Sequence, residues 1–372
     1  MDSQGRTEQT NSHWAHTPNG LGEWHDLRCH LDAVAELAGR FASEFGAGEW
    51  ARIAGLWHDL GKYRREFQEM LRTIHGGGVK HRVDHSTVGA IHAARVIGAA
   101  LASRPETRAV DFLQLLVTAT IAGHHAGLPD GAEELRSRLD ANARLYEEVL
   151  VQSPPSDILS PIRKLPSLQR RLRAEFLVRM VFSALVDADR LDSERFTDAG
   201  VPEKQRPSRL RGAYPTIQEL RVTLDEHIDM KVAALRPDRM GDVERRVFNY
   251  RQGVLGACRE AASKPTGAFT LGVATGGGKT LSSLSFALRH AECRGKNRVI
   301  VVIPYTSIIE QTAAEYRAAL GDLAGSVIEH HSAMNEGIEQ RTDPEHQDEN
   351  SLRHRLATEN WDARLIVTTA VL

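Results

Sequence analysis

Apolar positions recur every three or four residues through the first two hundred residues, the spacing that lines one face of a helix. Leu27, Leu31, Val34, Leu37, Ala38, Phe41 and Phe45 make such a stripe, ending at Gly46 and Gly48, where glycine is a usual helix stop. A second helix is expected from about Trp50 to Leu60. Gly76, Gly77 and Gly78 read as a loop. A small-residue helix follows from His85 to about Leu101, then an apolar one from Asp111 to Ile121, stopped at Gly123. Glu133 to Val151 reads as one amphipathic helix. Pro154, Pro155, Pro161 and Pro166 break the pattern. Arg171 to Asp189 returns to it, with Phe176, Leu177, Met180, Val181, Ala184 and Leu185 on the buried side. No strand stands out, so this part reads as all-α, preceded by a polar, poorly ordered tail over residues 1–20.

The texture then changes. Pro202, Pro207 and Pro215, with Arg206, Arg209 and Arg211, mark a linker, and helices are expected at about Ile217–Leu235 and Val243–Ser263. Short β-rich runs follow at Phe269–Ala274, Arg298–Ile303, Ser326–Glu329 and Arg364–Thr369, with helical patterns at Leu281–Glu292 and Ser307–Leu320. Strands alternating with helices imply a parallel sheet. His331 to about Asn350 is a long polar loop. The reading divides the chain into a helical domain over 21–200, a linker and connecting helix over 201–240, and an α/β part over 241–372.

Composition narrows this only a little. A chain of 372 residues with 41% hydrophobic and 26% charged residues can build packed cores. The net charge of −2 means that nucleic-acid contact must come from local basic surface. Arg163, Lys164, Arg170, Arg171 and Arg173 are one such stretch, although a solvated charged face is its plainer reading. Cys29, Cys258 and Cys293 have no Cys-x-x-Cys spacing and read as reduced thiols. With no long apolar stretch and no leader-like N-terminus, a cytoplasmic protein without a membrane partner is expected.

Candidate chemistry centres on Leu56-Trp57-His58-Asp59-Leu60-Gly61-Lys62. An imidazole and a carboxylate side by side at a helix end can both reach one cleft, and the carboxylate can bridge two cations. His25, His85, His124, His125 and either Asp187 or Asp189 keep it company, each near a helix terminus or on an otherwise apolar helix. That placement is costly for an ionisable group without a partner. Mixed imidazole and carboxylate donors suit iron, manganese, nickel or cobalt, and suit magnesium poorly.

This ordered set resembles the HD-domain phosphohydrolases, and more closely the HD nuclease of type I CRISPR-associated nuclease–helicases. The resemblance implies an α-helical HD-domain bundle followed by a partial α/β RecA-like (P-loop) lobe. It implies one divalent metal held by His25, His58, Asp59 and Asp187, the choice of Asp187 following the family's Leu-x-Asp pattern. Asp59, His85, His124 and His125 would hold a second. Asp59 would then bridge, with Lys62 supplying positive charge to the phosphate during cleavage. The activity implied is metal-dependent cutting of single-stranded DNA in CRISPR interference, recruited by an RNA-guided surveillance complex. A nucleotide-directed HD phosphohydrolase and an inactive binding fragment are the alternatives.

The α/β part carries Thr275-Gly276-Gly277-Gly278-Lys279-Thr280 between a strand pattern and a helix pattern. Glycines there let backbone N–H groups face a triphosphate, Lys279 neutralises its oxygens, and Thr280 can ligate magnesium. Val273 stands where the strict motif has glycine; the core instead resembles superfamily 2 helicases. Asn249-Tyr250-Arg251-Gln252 resembles their adenine-reading segment, with Gln252 the expected contact, and Ile303 to Ser307, Gln311, His330-His331-Ser332 and Trp361 to Val371 resemble later pieces of the first lobe. The acidic magnesium motif and second lobe do not appear by Leu372. ATP and Mg2+ are the ligands implied for this loop, but the chain as given is expected to bind ATP poorly and not to unwind DNA alone.

Overall fold

The computed structural model describes residues 12–79, 83–102, 110–159, 173–212, 214–331 and 361–370. Two compact units divide between Arg206 and Pro207.

The first unit opens with a short antiparallel hairpin, β1 (Trp14–His16) and β2 (His25–Asp26), which pairs His16 with His25. The described residues 12–20 are thus part of the fold, and not the disordered tail expected for them. Asp26 caps α1 (Leu27–Ser43) by accepting from the Cys29 N–H. α2 (Gly48–Trp57) lies against α1 so closely that a Cβ on Gly55 would fall 2.7 Å from the Ala35 Cα. A 3-10 turn over Leu60–Tyr63 leads to α3 (Arg65–His75), and then come α4 (Ser86–Ala102) and α5 (Val110–Gly123). The amphipathic stretch expected as one helix is two, α6 (Ala132–Ala141) and α7 (Ala143–Val151), broken at Asn142. After the single turn α8 (Ser156–Leu159), α9 runs from Ala174 to Ala199, ten residues beyond the expected end. One core of Leu31, Val34, Trp50, Trp57, Leu60, Ile97, Leu116, Ile121, Leu177 and Leu185 holds these helices together. The Trp57 indole N–H donates to the Ile158 carbonyl at 2.8 Å, so even this large buried ring leaves no donor unpaired.

The second unit has its own core. α10 (Ile217–Ala234) starts with a capping box at Thr216 and Glu219, and buries Ile217, Leu220, Leu224 and Ile228 there. The helix expected within a connecting segment therefore packs inside this unit. α11 (Asp242–Ala261) and α12 (Lys279–Cys293) are tied to it through Asp225, whose carboxylate accepts from Arg221, Arg259 and Arg289. β3 (Val299–Val302), α13 (Thr306–Leu320), β4 (Val327–His330) and β5 (Leu365–Thr368) complete it. The three strands form a parallel sheet in the order β3-β5-β4. The expected strand Phe269–Ala274 has no ladder partner among the described residues. A strand needs a neighbour to satisfy its backbone, and among the described residues none pairs with it. Among the described residues, no helix is long and apolar enough to cross a membrane.

Candidate metal centre

Asp59 ends α2 in a non-helical conformation (φ −111°, ψ 20°) and is fully buried. Its two oxygens face different histidines. Oδ2 lies 3.3 Å from His30 Nε2, 3.2 Å from His58 Nε2 and 2.6 Å from Lys62 Nζ. Oδ1 lies 3.5 Å from His85 Nε2 and 3.4 Å from His124 Nε2. Asp189 Oδ1 closes the first set, 3.4 Å from His30 Nε2 and 3.7 Å from His58 Nε2. Two groups of metal-ligating atoms result, His30–His58–Asp59–Asp189 and Asp59–His85–His124–His125, with Asp59 shared.

The local sequence explains why the imidazoles arrive already aimed. Helix ends leave carbonyls without intrahelical partners. His58 Nδ1–H donates back to the Gly55 carbonyl at 2.7 Å, and His124 Nδ1–H to the Ile121 carbonyl at 2.7 Å. His85 Nδ1 does the same toward Val83 O at 3.0 Å, and His30 Nδ1 toward Asp192 Oδ2 at 2.7 Å. With Nδ1 engaged in this way, Nε2 is the nitrogen each ring turns toward the cluster, the orientation metal-ligating histidines use. Those four Nε2 atoms are buried without a hydrogen-bond partner. Gly61 lets the stretch before α4 lie on the turn, since a Cβ there would fall 2.2 Å from the His85 carbonyl oxygen. Orphaned nitrogens around a bridging carboxylate fit a pair of divalent transition metals.

The electrostatics divide the two groups. Burial works against charge on His30 and His58, but Asp189, Asp192 and Asp59 outweigh it and raise them to about 10 and about 9. Asp59 and Asp189 are driven well below the usual carboxylate range; burial opposes this, and the neighbouring imidazoles prevail. Burial lowers His85 to about 4 and His125 to about 3. A cation at the Asp59–His85–His124–His125 group therefore displaces no proton from these two imidazoles, whereas one at the other group must displace protons from His30 and His58.

A cavity of about 980 Å³ adjoins the cluster. His16, Lys62, His85, His125 and Arg138 line its polar side, and Phe67, Met70 and Leu71 one apolar wall. Arg138 is held there by donating to Thr87 Oγ1, Ser86 Oγ and the Ala122 carbonyl.

Two of the ligands expected from sequence change. The Asp59 group takes Asp189, and Asp187 is not among its atoms; α9 turns about 200° between them. His25 falls in a neighbouring group with His16 and His30, and His30 takes its place beside Asp59. His30, missed by the sequence reading, occupies the buried stripe of α1 between Leu27 and Leu31. A single ionisable residue inside an apolar stripe was the available signal.

In the second unit, Gly276 and Gly278 have φ of 79° and 84°, a region that favours glycine. Gly277 has no room for a side chain, since a Cβ would lie 2.5 Å from Val273 Cγ1. Val273 thus fills the space against the loop. Lys279 opens α12 and is exposed, as is Thr275, and Thr280 follows in the first turn. The Arg251 Nε–H donates to the Gly276 carbonyl at 2.9 Å, and Gln252 lines a cavity of about 660 Å³ together with Gly278 and Ser282. Of the basic stretch, Arg163, Lys164, Arg170 and Arg171 lie outside the described residues, as does Ser332.

Residues 28–153 match the HD domain family profile, and residues 245–370 match that described as Type III restriction enzyme, res subunit. The chain joins an HD domain to part of a helicase-like lobe. The HD match contains His30, His58, Asp59, His85, His124 and His125, and begins after His25. Solved structures of T. fusca Cas3 in ATP, ADP and AMPPNP forms share the fold, with TM-scores of 0.51, 0.50 and 0.50. Each is 18% identical and covers 96% of this chain and 43% of its own, so the chain spans less than half the length of these structures. A search of curated proteins finds no significant match. The HD domain and partial RecA-like lobe anticipated from the motifs are the fold observed.

Proposed function

We propose that the HD domain is a metal-dependent phosphodiesterase that cleaves single-stranded DNA in CRISPR interference. The observation that carries this is the set of four unpartnered Nε2 atoms converging on the two oxygens of Asp59. His30, His58, Asp59 and Asp189 would hold one divalent cation, and Asp59, His85, His124 and His125 the other. The cations supply an acidified water and a positive counter-charge for phosphoryl transfer. Asp59 fixes the two positions relative to each other. Lys62, buried beside Oδ2 at the cavity edge, can hold a non-bridging phosphate oxygen. The apolar wall of Phe67, Met70 and Leu71 suits an unstacked base better than a paired one, which supports a single strand as substrate.

The remaining assignments belong to the same reading. A CRISPR RNA-guided complex delivers the strand, and ATP with Mg2+ occupies Thr275 to Thr280 and Gln252, driving unwinding in longer proteins of this architecture. The test is cleavage of a single-stranded oligonucleotide by the Mn2+-loaded chain, beside free nucleotides and duplex DNA. Single-strand cutting that disappears in Asp59→Ala, with loss of bound metal, is expected. Hydrolysis of nucleotides alone would favour a nucleotide phosphohydrolase. Failure to bind metal would leave only an inactive binding fragment.

A further inference from the structure

Arg138 leaves the outer helix α6 and reaches two helix ends at once. On α4, its Nε–H donates to Thr87 Oγ1 and its Nη2–H to Ser86 Oγ, both at 3.0 Å. On α5, its Nη1–H donates to the Ala122 carbonyl at 2.9 Å. Each of the three nitrogens has a different partner, and three such bonds fix the plane of a rigid guanidinium.

These partners sit beside proposed ligands. Ser86 and Thr87 directly follow His85, and Ala122 stands two residues before His124. Ala122 lies in the last turn of α5, where carbonyls lack intrahelical partners. His124 Nδ1–H takes the Ile121 carbonyl, and Arg138 takes the next one. Asp84 braces the other end. It accepts from the Thr87 N–H at 3.1 Å and from the Thr87 hydroxyl at 2.5 Å, and lies 3.7 Å from Arg138 Nη2. Seating α6 does not require this arrangement, since Leu135 and Leu139 already pack that helix on the core.

We propose that Arg138 is a positioning residue, whose guanidinium sets the spacing between His85 and the His124–His125 pair. The proposal rests on reading Asp59, His85, His124 and His125 as ligands of one cation. His85 comes from the start of α4 and the other two histidines from the end of α5. That group closes only if the two helix ends keep their distance. The other group draws His30, His58 and Asp189 from α1, the end of α2 and α9, whereas the hydrogen bonds of Arg138 go to α4 and α5. A lysine keeps the charge but lacks the planar fork that reaches both ends.

The full chain, stripped with a chelator, is titrated with Co2+. The visible spectrum follows coordination, and elemental analysis counts the bound metal. Wild type should bind two equivalents. Arg138→Ala should keep one at wild-type affinity and bind the other about 10- to 100-fold more weakly, with circular dichroism unchanged. Combined with Asp189→Asn, it should retain only the weakened equivalent. Arg138→Lys should be as weak as Arg138→Ala. Added guanidinium should tighten the alanine variant, because the Arg138 side chain is 31% exposed and its place is open to solvent. Wild-type affinity at both sites in Arg138→Ala overturns the proposal, as does equal weakening of both. Full affinity in Arg138→Lys also overturns it, by reducing the residue to its charge. A wild-type chain that takes up no Co2+ would instead overturn the pair itself, and this role with it.

Discussion

Asp187 and Asp189 stand two positions apart on α9, so they point about 200° away from each other and only one can face Asp59. The buried face of α9 runs at helical spacing through Val181, Ala184, Leu185, Ala188 and Asp192. Asp189 is four residues past Leu185 and joins that face beside His30 and His58. Asp189→Asn should therefore lose one equivalent of metal and reduce cleavage on the order of 100-fold or more, beyond the 10- to 100-fold typical of residues that only orient a ligand. Asp187→Asn should keep both. Metal content and oligonucleotide cleavage measured on the two variants together decide this; equal losses in both would reject the assignment. The stripe was legible in the sequence, and counting from Leu185 favours Asp189. His30 was legible by the same argument of a costly polar residue on an apolar face. His25, expected from the resemblance, lies instead in the adjacent group with His16 and His30.

Most helices of ten or more residues carried enough periodicity to be read, so α1, α2, α4, α5 and α10 to α13 fall close to their expected positions, whereas the eleven residues of α3 were not expected as a helix and the ten of α6 were read as part of a longer one. The hairpin of three and two residues is too short for any alternation to register, yet it brings His16 and His25 together. The crossing of α4 on α2 was also invisible, because it depends on a residue with no side chain. A Cβ on Gly89 would lie 1.9 Å from the Trp57 carbonyl oxygen, and that neighbour is backbone and cannot rotate away. Gly89→Ala must push α4 off α2, at about 1–3 kcal/mol for overpacking. Trp57 directly precedes His58, so the displacement reaches the metal centre. The variant should show a lower denaturant midpoint and weaker Co2+ binding together. A lower midpoint with unchanged metal affinity would mean that α2 holds its end without help from α4.

At the scale of the whole chain, two units with separate cores should respond separately to ligands. The His and Asp residues clustered around Asp59 all lie in the first unit, on α1, the end of α2, the start of α4, the end of α5 and α9. Cations that bind only the folded form stabilise it by mass action, about 2.7 kcal/mol for one site at a hundredfold excess over the dissociation constant. For a unit of 206 residues this corresponds to a rise in Tm of roughly 5–10 °C. Removing metal should accordingly lower one thermal transition by that order and leave the transition of the α/β unit in place. Differential scanning calorimetry with and without a chelator, repeated with Asp59→Ala, gives the measurement. The variant should already melt at the chelated position and respond no further to the chelator. A shift of both transitions would mean that the two cores unfold as one cooperative block, and an unmoved first transition would mean that the buried cluster holds no cation.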